Sequence, residues 1–434
     1  MDKAARLIHK KLKETLRERE DEYLSYLSDL VSIDTQDLGH GIDGGREEKG
    51  QIYLENLMRS FGGETRREQL SEDIISIGIA GYGEGNPGHN YTNPDRWNLA
   101  AFFEKDATGR SIMFDGHIDT MPPGDLSQWC LDPWKPEIRD GKLYGLGACD
   151  MKAGLMASVL AVKLIYDAGL RPPGPVAILS VVDEEGGGNG SLAAVLSGHR
   201  ADAAVVCEPS GGKLTTAHMG FVFLSVEVTG HAIHSGSKWN GVNAIEKAIL
   251  LIDALNELER TWLMTRKHPL LPPPTLNIGV ISGGVAGSTV PDRCEFKLCV
   301  HYHPGTMSHE SAASEVREAI LTKAQGDAWL RNHTPKLEIY QRGGAFEMDT
   351  GHPFVAAVSD CMSAVKGKPP ELYGSPAGND ARLLRNIGGL PTIVAGPGQM
   401  EQCHSIDEYV ETSDFMDFIE IYALLILNWC GSNG

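Results

Sequence analysis

Short apolar runs joined by long amphipathic stretches dominate the chain between residues 111 and 210. The runs are SIMFDG, VAILSVVDEE and DAAVVCEP, and a stretch with helical spacing, MKAGLMASVLAVKLIYDAG, follows Asp150. Continuous Val, Ile and Ala runs linked by helices of a dozen or more residues are typical of a parallel sheet covered on both faces. Sites in such sheets form at the carboxyl ends of the strands. The pattern therefore predicts an α/β domain with its site at that edge.

The pattern changes from about Gly220. The segments FVFLSVEVTG, TLNIGVIS and CEFKLCVHY alternate apolar and polar positions, and NAIEKAILLIDALNEL has helical spacing. Alternation predicts strands with one buried face, so this part is expected to be a separate α+β insert. Later the α/β pattern returns as the helix HPFVAAVSDCMSAV, the loop GSPAGNDARLL and the strand PTIVAG. We therefore predict a catalytic domain over 1–215 and 345–434, interrupted by a smaller domain over 216–344.

The first thirty residues place apolar positions at helical spacing between charges, which predicts one amphipathic helix rather than a signal peptide. No apolar run reaches the roughly 18 residues of a membrane span, so no membrane partner is expected. The formal net charge of −19 argues against a nucleic-acid partner, because phosphates select clustered Lys and Arg. Eight scattered cysteines do not resemble a disulfide framework, so a cytoplasmic location is expected.

Five acidic or imidazole side chains lie where an apolar run ends or a helix begins: His117, Asp150, Glu185, Glu208 and His404. Two metal ions about 3.5–4 Å apart need two terminal histidines, two terminal carboxylates and one bridging carboxylate. The five residues supply that complete set, so the chain is predicted to be a metallohydrolase. Each also has an ordinary alternative, because an Asp at a helix start is a favoured N-cap and a single His more often packs or caps than ligates.

Two acids that lie close to these candidate ligands in the sequence have predicted roles of their own. Asp119 follows His117 by two positions, and such a carboxylate can hold the second imidazole nitrogen in the correct tautomer. Glu184 and Glu185 are adjacent at a strand end and are followed by three glycines. Because adjacent residues project differently, we assign Glu185 as a metal ligand and Glu184 as the general base that reaches the metal-bound water. The alternatives are a surface turn and a solvated acidic turn.

The order of the motifs resembles one family. The chain contains, in sequence, H-x-D, D-M-K-A-G, D-E-E-x-G-G, C-E-P and H-S-x-D-E-Y. This order is similar to that of the M20 metallopeptidases, which include acetylornithine deacetylases, succinyl-diaminopimelate desuccinylases, aminoacylases and glutamate carboxypeptidases. The resemblance spans nearly the whole chain. It implies a di-zinc, aminopeptidase-like catalytic domain with a mostly parallel sheet, interrupted by a smaller α+β lid that commonly dimerises.

The resemblance also implies roles for individual residues. The two zinc ions expected per subunit would have separate terminal ligands and one bridging ligand: His117 with Glu208, Glu185 with His404, and Asp150 between the ions. Co²⁺ or Mn²⁺ suit the same imidazoles and carboxylates. The lid motif G-H-A-I-H-S-G places at His234 the imidazole that stabilises the tetrahedral oxyanion, often from the partner subunit. A homodimer formed through the lid is therefore expected.

The chain departs from the family pattern at candidate substrate-binding positions. Ser288 begins the segment S-T-V-P where many members have N-V-V-P, and Asn379 stands where Thr is usual. His301 occupies the position of an Arg that helps to hold a substrate carboxylate, and His is a poor replacement at neutral pH. Arg382 is either the replacement cation or an ordinary Arg on a helix surface.

The predicted function is an acetylornithine deacetylase-like amidohydrolase, which removes an acyl group from a small-molecule N-acyl amine by attack of a metal-bridging hydroxide. The loss of the Arg at position 301 leaves a second possibility, a deformylase of N-formyl aminopyrimidines or another deacylase of substrates without an α-carboxylate. A dipeptidase or carboxypeptidase differs only in the leaving amine. A non-catalytic metal-dependent binding protein would not need Glu184.

Overall fold

The computed structural model describes residues 3–37, 45–86 and 95–431. The chain divides into two units. The first is made of Met1–Thr216, Met348–Tyr373 and Asn379–Gly434, and the second of Ala217–Glu347 and Gly374–Gly378. The short segment Gly374–Gly378 thus belongs to the second unit, whereas the sequence pattern had assigned it to the last part of the catalytic domain. The backbone of this segment packs closely on the rest of the second unit, since a Cβ at Gly374 would lie 2.7 Å from the carbonyl oxygen of Leu270.

The first segment of the first unit contains, in chain order, α1 (Lys3–Glu18), α2 (Glu20–Val31), α3 (Glu48–Ser60), β1 (Glu64–Gln69), α4 (Glu72–Tyr82), β2 (Trp97–Phe103), β3 (Ile112–His117), β4 (Glu137–Arg139), β5 (Lys142–Tyr144), α5 (Ala153–Asp167), β6 (Val176–Val181), α6 (Asn189–Leu196), β7 (Ala204–Val206) and β8 (Leu214–His218). The last residues of β8 continue into the second unit.

The second unit continues with β9 (Gly220–Thr229), α7 (Ala244–Thr265), β10 (Thr275–Gly283), β11 (Arg293–Tyr302), α8 (His309–Gly326), β12 (Lys336–Gly343) and β13 (Phe346–Glu347). The remaining elements are α9 (Pro353–Lys366), β14 (Leu372–Ser375), α10 (Ala381–Asn386), β15 (Thr392–Val394), β16 (Tyr409–Glu411) and α11 (Thr412–Gly431). Among the helices of the described residues, none combines the length and apolar character that a membrane crossing needs.

Parallel strands form the centre of the first unit. Within this unit the strand order is β1-β2-β6-β3-β7-β15-β8. The four central strands β6, β3, β7 and β15 are parallel, and the flanking pairs are antiparallel. Every residue of β3, β7 and β15 is buried, because helices cover both faces of such a sheet. The predicted α/β fold with a mostly parallel core is confirmed.

Two local predictions were wrong. The first thirty residues form two helices, α1 and α2, because Arg19 leaves helical geometry at φ −115° and ψ 13°. Met1 and Asp2 lie outside the described residues. The segment GSPAGNDARLL was predicted as a loop, but its end forms the start of helix α10, in which Leu383 and Leu384 are buried.

Helix α5 packs closely against the sheet near the end of β7. Most of its side chains are buried, including Leu155 and Leu160, and truncation of such residues to Ala costs about 2–5 kcal/mol. Gly154 is required for its close approach to β7, since a Cβ at that position would lie 1.8 Å from the carbonyl oxygen of Cys207. This contact brings the turn that precedes α5 beside Glu208.

The second unit is a four-stranded antiparallel sheet in the order β10-β11-β9-β12, with helices α7 and α8 packed on one face. Alternate residues of β9 and β11, such as Val222 and Val300, form the core beneath the helices. The opposite face carries Phe221, Phe223 and His301, with His301 paired across the strands to Phe221. This alternation is the pattern that the sequence predicted for the insert.

Candidate metal centre

Three of the five predicted ligands lie at the carboxyl edge of adjacent parallel strands. His117 is the last residue of β3, whose neighbours in the sheet are β6 and β7. Glu185 follows β6, and Glu208 follows β7. Because strands in register end at the same edge, the three side chains converge there.

His117 presents one ring nitrogen to a group of carboxylates. Its Nδ1–H donates to the main-chain carbonyl of Asp119 at 2.8 Å, so the lone pair of the neutral ring is on Nε2. This Nε2 atom lies 3.2 Å from Oδ1 of Asp150 and 3.7 Å from Oε1 of Glu208. The tautomer is therefore the one that metal coordination through Nε2 requires.

Asp150 lies between the two histidines. Its Oδ1 faces His117, and its Oδ2 lies 3.3 Å from Nε2 of His404. Oε1 of Glu185 lies 3.0 Å from the same His404 nitrogen. One carboxylate oxygen is thus directed to each imidazole, which is the arrangement of a carboxylate that bridges two cations.

Asp150 is not a helix N-cap. Helix α5 begins at Ala153, whereas Asp150 lies in the irregular turn Ala148–Lys152 with φ −112° and ψ 95°. The Asp150–Met151 peptide bond is cis. The Asp150 carboxylate bonds to the histidines, so the capping alternative does not apply.

The charges at this centre fit divalent cations. Ligand atoms of His117, Glu184 and Glu208 lie within 4.8 Å of one another, and so do those of His117, Asp150 and Glu185. Burial raises the pKa of Glu184 and of Glu208 well above the usual value, and neighbouring acids add to the shift. Clustered carboxylates in this setting hold protons unless cations compensate their charge.

The surrounding carboxylates raise the pKa values of both imidazoles, His117 and His404. Burial opposes protonation of His117, but its hydrogen bond with Asp150 and the charge of Glu208 raise its pKa well above the usual value. Hydrogen bonds to Asp150 and Glu185 raise the pKa of His404 to about 11. Burial acts against ionisation of Asp150, yet these hydrogen bonds lower its pKa below the usual value. The donor set of two imidazoles and carboxylates is that of dinuclear sites for borderline metals.

Asp119 acts on Glu185 as well as on His117. Its carboxylate oxygen Oδ1 is 3.8 Å from Nδ1 of His117, whereas its main-chain oxygen accepts the hydrogen bond. Its Oδ2 accepts the backbone N–H of Glu185 at 3.0 Å. The sequence had assigned the orientation of His117 to the Asp119 carboxylate, but the structure gives that contact to the backbone.

Arg382 was considered as a substrate-binding cation or a surface residue, and the structure contradicts both interpretations. Its side chain is 3% exposed, its Nε donates to Glu84 at 3.1 Å, and its Nη2 donates to the carbonyl of Gly187 at 2.9 Å. Gly188 permits this packing, since its φ is +85° and a Cβ would lie 2.4 Å from Oδ1 of Asp380. Arg382 therefore holds the glycine turn that follows Glu184.

Asn379 contributes to the same arrangement. Its Oδ1 accepts the N–H of Ala381 at 3.1 Å, and its main-chain oxygen accepts Nη1 of Arg382 at 2.7 Å. These contacts set the start of α10, which carries Arg382.

The sequence analysis did not predict a role for Arg96. It is fully buried and bonds to Asp37, Glu47 and Asp183. Asp183 immediately precedes Glu184 and has a positive φ of 66°. No local pattern marks Arg96, because its partners lie in three separate segments.

The candidates His234, Ser288 and His301 lie in the second unit. The Nδ1 atom of His234 accepts the N–H of Gly236 at 3.1 Å, which leaves Nε2–H of the neutral ring as a donor. The adjacent N–H of Ser235 donates to the carbonyl of Ser288 at 2.9 Å. Burial lowers the pKa of His301, so its imidazole is neutral at neutral pH.

Comparison with known proteins places this geometry in a family. The family model described as Peptidase family M20/M25/M40 matches residues 113–428. The chain belongs to this family. The resemblance stated from the motif order is therefore confirmed, and the protein is a hydrolase of amide bonds.

Two relatives and one solved structure are informative. An N-formyl-4-amino-5-aminomethyl-2-methylpyrimidine deformylase of Bacillus subtilis (strain 168) is 32% identical over 344 residues, covering 74% of this chain and 79% of that protein. An acetylornithine deacetylase of Edwardsiella ictaluri (strain 93-146) is 31% identical over 376 residues, covering 84% and 92%. The structure of the Bacillus subtilis YXEP protein, a dinuclear metal-binding peptidase of the M20 family, has a TM-score of 0.66 at 14% identity, covering 96% of this chain and 100% of that chain.

Proposed function

We propose that this hydrolase uses two metal ions to remove a short acyl group from a small N-acyl amine. The observation that carries the proposal is the position of Asp150, which directs one carboxylate oxygen to His117 and the other to His404. His117 with Glu208 and His404 with Glu185 then complete the two ligand sets. Zinc is the proposed ion, and Co²⁺ or Mn²⁺ would suit the same ligands.

Glu184 is the proposed general base. The chemistry that bound metal ions would supply here is polarisation of the amide carbonyl and a lower pKa, towards about 7, for the attacking water. Glu184 follows β6 beside Glu185, and its ligand atom groups with those of His117 and Glu208. It accepts the proton of the attacking water and delivers it to the leaving amine. The Gly187 turn, held by Arg382, keeps its backbone in place.

His234 is the proposed oxyanion donor. Because its Nδ1 accepts from Gly236, its Nε2–H is the ring's donor, and such a donor stabilises the negative charge of a tetrahedral transition state. Ser288 holds the neighbouring backbone through Ser235. Asn379 and Ser288 are thus proposed to shape the substrate site through the backbone.

The proposed substrate has no α-carboxylate on its leaving amine. Recognition of a carboxylate favours a charged, bidentate guanidinium. The position expected to carry it holds His301, which burial keeps neutral. Arg382 does not substitute for it, because its donors are engaged by Glu84, Gly187 and Asn379.

A flat, uncharged heteroaromatic amine suits the face of the second unit's sheet that carries Phe221, Phe223 and His301. The rings of Phe221 and Phe223 lie 5.7 Å apart, and those of Phe223 and Tyr340 lie 5.8 Å apart. Among the described residues, the buried Nδ1 atom of His301 has no hydrogen-bond partner. Aromatic side chains stack on planar rings, and an unpaired imidazole nitrogen can select a polar group. The similarity to the pyrimidine deformylase supports an N-formyl aminomethylpyrimidine as the first substrate to test.

An N-acyl amino acid of the acetylornithine type is the second candidate. It is supported by the 31% identity to an acetylornithine deacetylase over most of both chains. In that case a cation other than His301 or Arg382 must bind the carboxylate.

The protein is further proposed to act as a cytosolic homodimer. Its eight cysteines are all free, as expected in a reducing compartment. Strand β10 lies at the edge of its sheet and exposes Val280 and Ile281. An exposed apolar edge strand favours pairing with a second copy.

A matched substrate panel tests the proposed specificity. The zinc-loaded protein is given N-formyl aminomethylpyrimidine, N-acetylornithine, N-acetylmethionine and the carboxamide counterparts of the two amino acids, and amine release is measured. We expect the pyrimidine and the carboxamides to have higher kcat/KM than the free acids. A preference for the free acids would contradict the proposed substrate class and favour the acetylornithine type.

A further inference from the structure

Glu408 is buried, and among the described residues its side chain accepts hydrogen bonds from backbone N–H groups. Its side chain accepts the N–H of Gly147 at 2.8 Å, of Cys149 at 2.7 Å and of Asp150 at 2.9 Å. Its exposed fraction is 1%. One carboxylate thus satisfies three donors of the turn that carries the bridging ligand.

The turn requires such a partner. Asp150 and Met151 have non-helical backbone angles, so their segment lacks the regular hydrogen bonds of α5. A buried backbone N–H without an acceptor costs about 1–3 kcal/mol. Both oxygens of the Glu408 side chain accept from these donors, so one side chain satisfies all three. Glu408 therefore fixes where the Asp150 side chain begins.

Glu408 also belongs to the chain segment that carries His404. Glu408 follows His404 by four residues, and both His404 and Asp407 have positive φ angles of 57° and 55°. The main-chain oxygen of Glu408 accepts the N–H of Gly145 at 3.0 Å. The next strand, β16, then pairs with β5. The segments that carry Asp150 and His404 are therefore fastened to each other through Glu408.

We propose that Glu408 is a positioning residue of the metal centre, which sets the separation between Asp150 and His404 without ligating a metal itself. This inference rests on the two-metal site proposed above and adds a residue to it. Loss of this side chain would free the Asp150 turn, so Asp150 and His404 would no longer be held at the separation that they have in the structure. Partners that hold metal ligands typically contribute about 10–100-fold to metal affinity.

The test compares Glu408→Gln and Glu408→Asp with the control Glu55→Gln. Gln replaces one acceptor oxygen by an NH2 group that cannot accept, and Asp keeps both oxygens but is one methylene shorter. Glu55 is also buried in the first unit, but it pairs with Arg59 and Arg67. Its replacement lowers stability without touching a ligand turn. The readouts are Zn²⁺ affinity and stoichiometry by calorimetry, and the visible spectrum of the Co²⁺-loaded protein.

We expect Glu408→Gln to weaken metal affinity by about 10–100-fold and to alter the Co²⁺ spectrum, with Glu55→Gln unchanged in both. If the Gln variant does not fold, the same loss is expected of Glu408→Asp. Wild-type affinity and spectrum in a folded Glu408 variant would overturn the inference. A wild-type protein that does not bind two ions would instead overturn the proposed two-metal site, so the two failures are distinguishable.

Discussion

The imidazole of His117 is held by the backbone of Asp119, not by its carboxylate. Nδ1 of His117 lies 2.8 Å from the main-chain oxygen and 3.8 Å from Oδ1. The Asp119 carboxylate instead accepts the N–H of Glu185. One residue therefore positions a ligand of each proposed metal ion, through two different groups.

Asp119→Asn should therefore be mild. The main-chain oxygen remains, and the amide oxygen can still accept the Glu185 N–H. We expect two metal equivalents with affinity within about tenfold of wild type, which is the low end of the loss for a removed metal-site partner. Asp119→Ala leaves the N–H unpaired, at a cost of about 1–3 kcal/mol. Calorimetric metal titration measures both. Loss of one equivalent in the Asn variant would show that the carboxylate itself orients His117.

Arg382→Met should damage the protein without changing its substrate preference. Removal of one partner of the buried Arg382–Glu84 pair costs about 3–5 kcal/mol of the free energy of unfolding. The Gly187 turn also loses its donor, so kcat should fall. The ratio of kcat/KM between N-acetylmethionine and its carboxamide should stay constant. A selective loss of the free acid would mean that Arg382 binds substrate carboxylates after all.

His301→Arg should shift specificity towards free acids. The substitution supplies a permanent charge beside Phe221, and a hydrogen bond to a charged group contributes about 1.5–3 kcal/mol. We expect kcat/KM for N-acetylmethionine relative to its carboxamide to rise by about 10- to 100-fold. His301→Gln, which adds no charge, is the matched control. If this ratio of kcat/KM values does not change in the Arg variant, the α-carboxylate does not bind beside position 301.

Metal binding should release protons. In the metal-free chain, hydrogen bonds to Asp150 and Glu185 raise the pKa of His404 to about 11, and burial raises that of Glu208. His404 therefore holds a proton at neutral pH, and the raised pKa of Glu208 favours its protonated form, whereas ligation requires both groups unprotonated. The apo state binds more protons, so metal affinity should increase as pH rises. Calorimetry in buffers of different ionisation enthalpy measures this release. Affinity that falls with rising pH would contradict the assigned ligands.

The sequence indicated which candidate ligands would lie together where local pattern decides geometry. His117, Glu185 and Glu208 follow apolar runs, and parallel strands in register bring such ends together. Asp150 and His404 completed the set of imidazoles and carboxylates that the two-metal hypothesis required. These inferences needed only local periodicity and the requirements of metal chemistry.

The supporting residues could not be predicted in this way. Arg382 bonds to Glu84 and to Gly187, which are 298 and 195 positions away in the chain. Its burial depends on tertiary packing, so a helical pattern in its own segment gave no signal. Glu408 lies within the H-S-x-D-E-Y motif, but its three backbone donors are about 260 residues earlier, at separations of 258 to 261.

The most direct test of the central claim is the turnover of Glu184→Gln at full metal occupancy. The amide keeps the size of the side chain but cannot take a proton, and general-base catalysis contributes about 10²–10⁴-fold. We predict that the variant binds two metal equivalents and that its kcat for the best amide of the panel falls by that factor. Near wild-type kcat with both ions bound would contradict Glu184 as the base and the proposed mechanism with it.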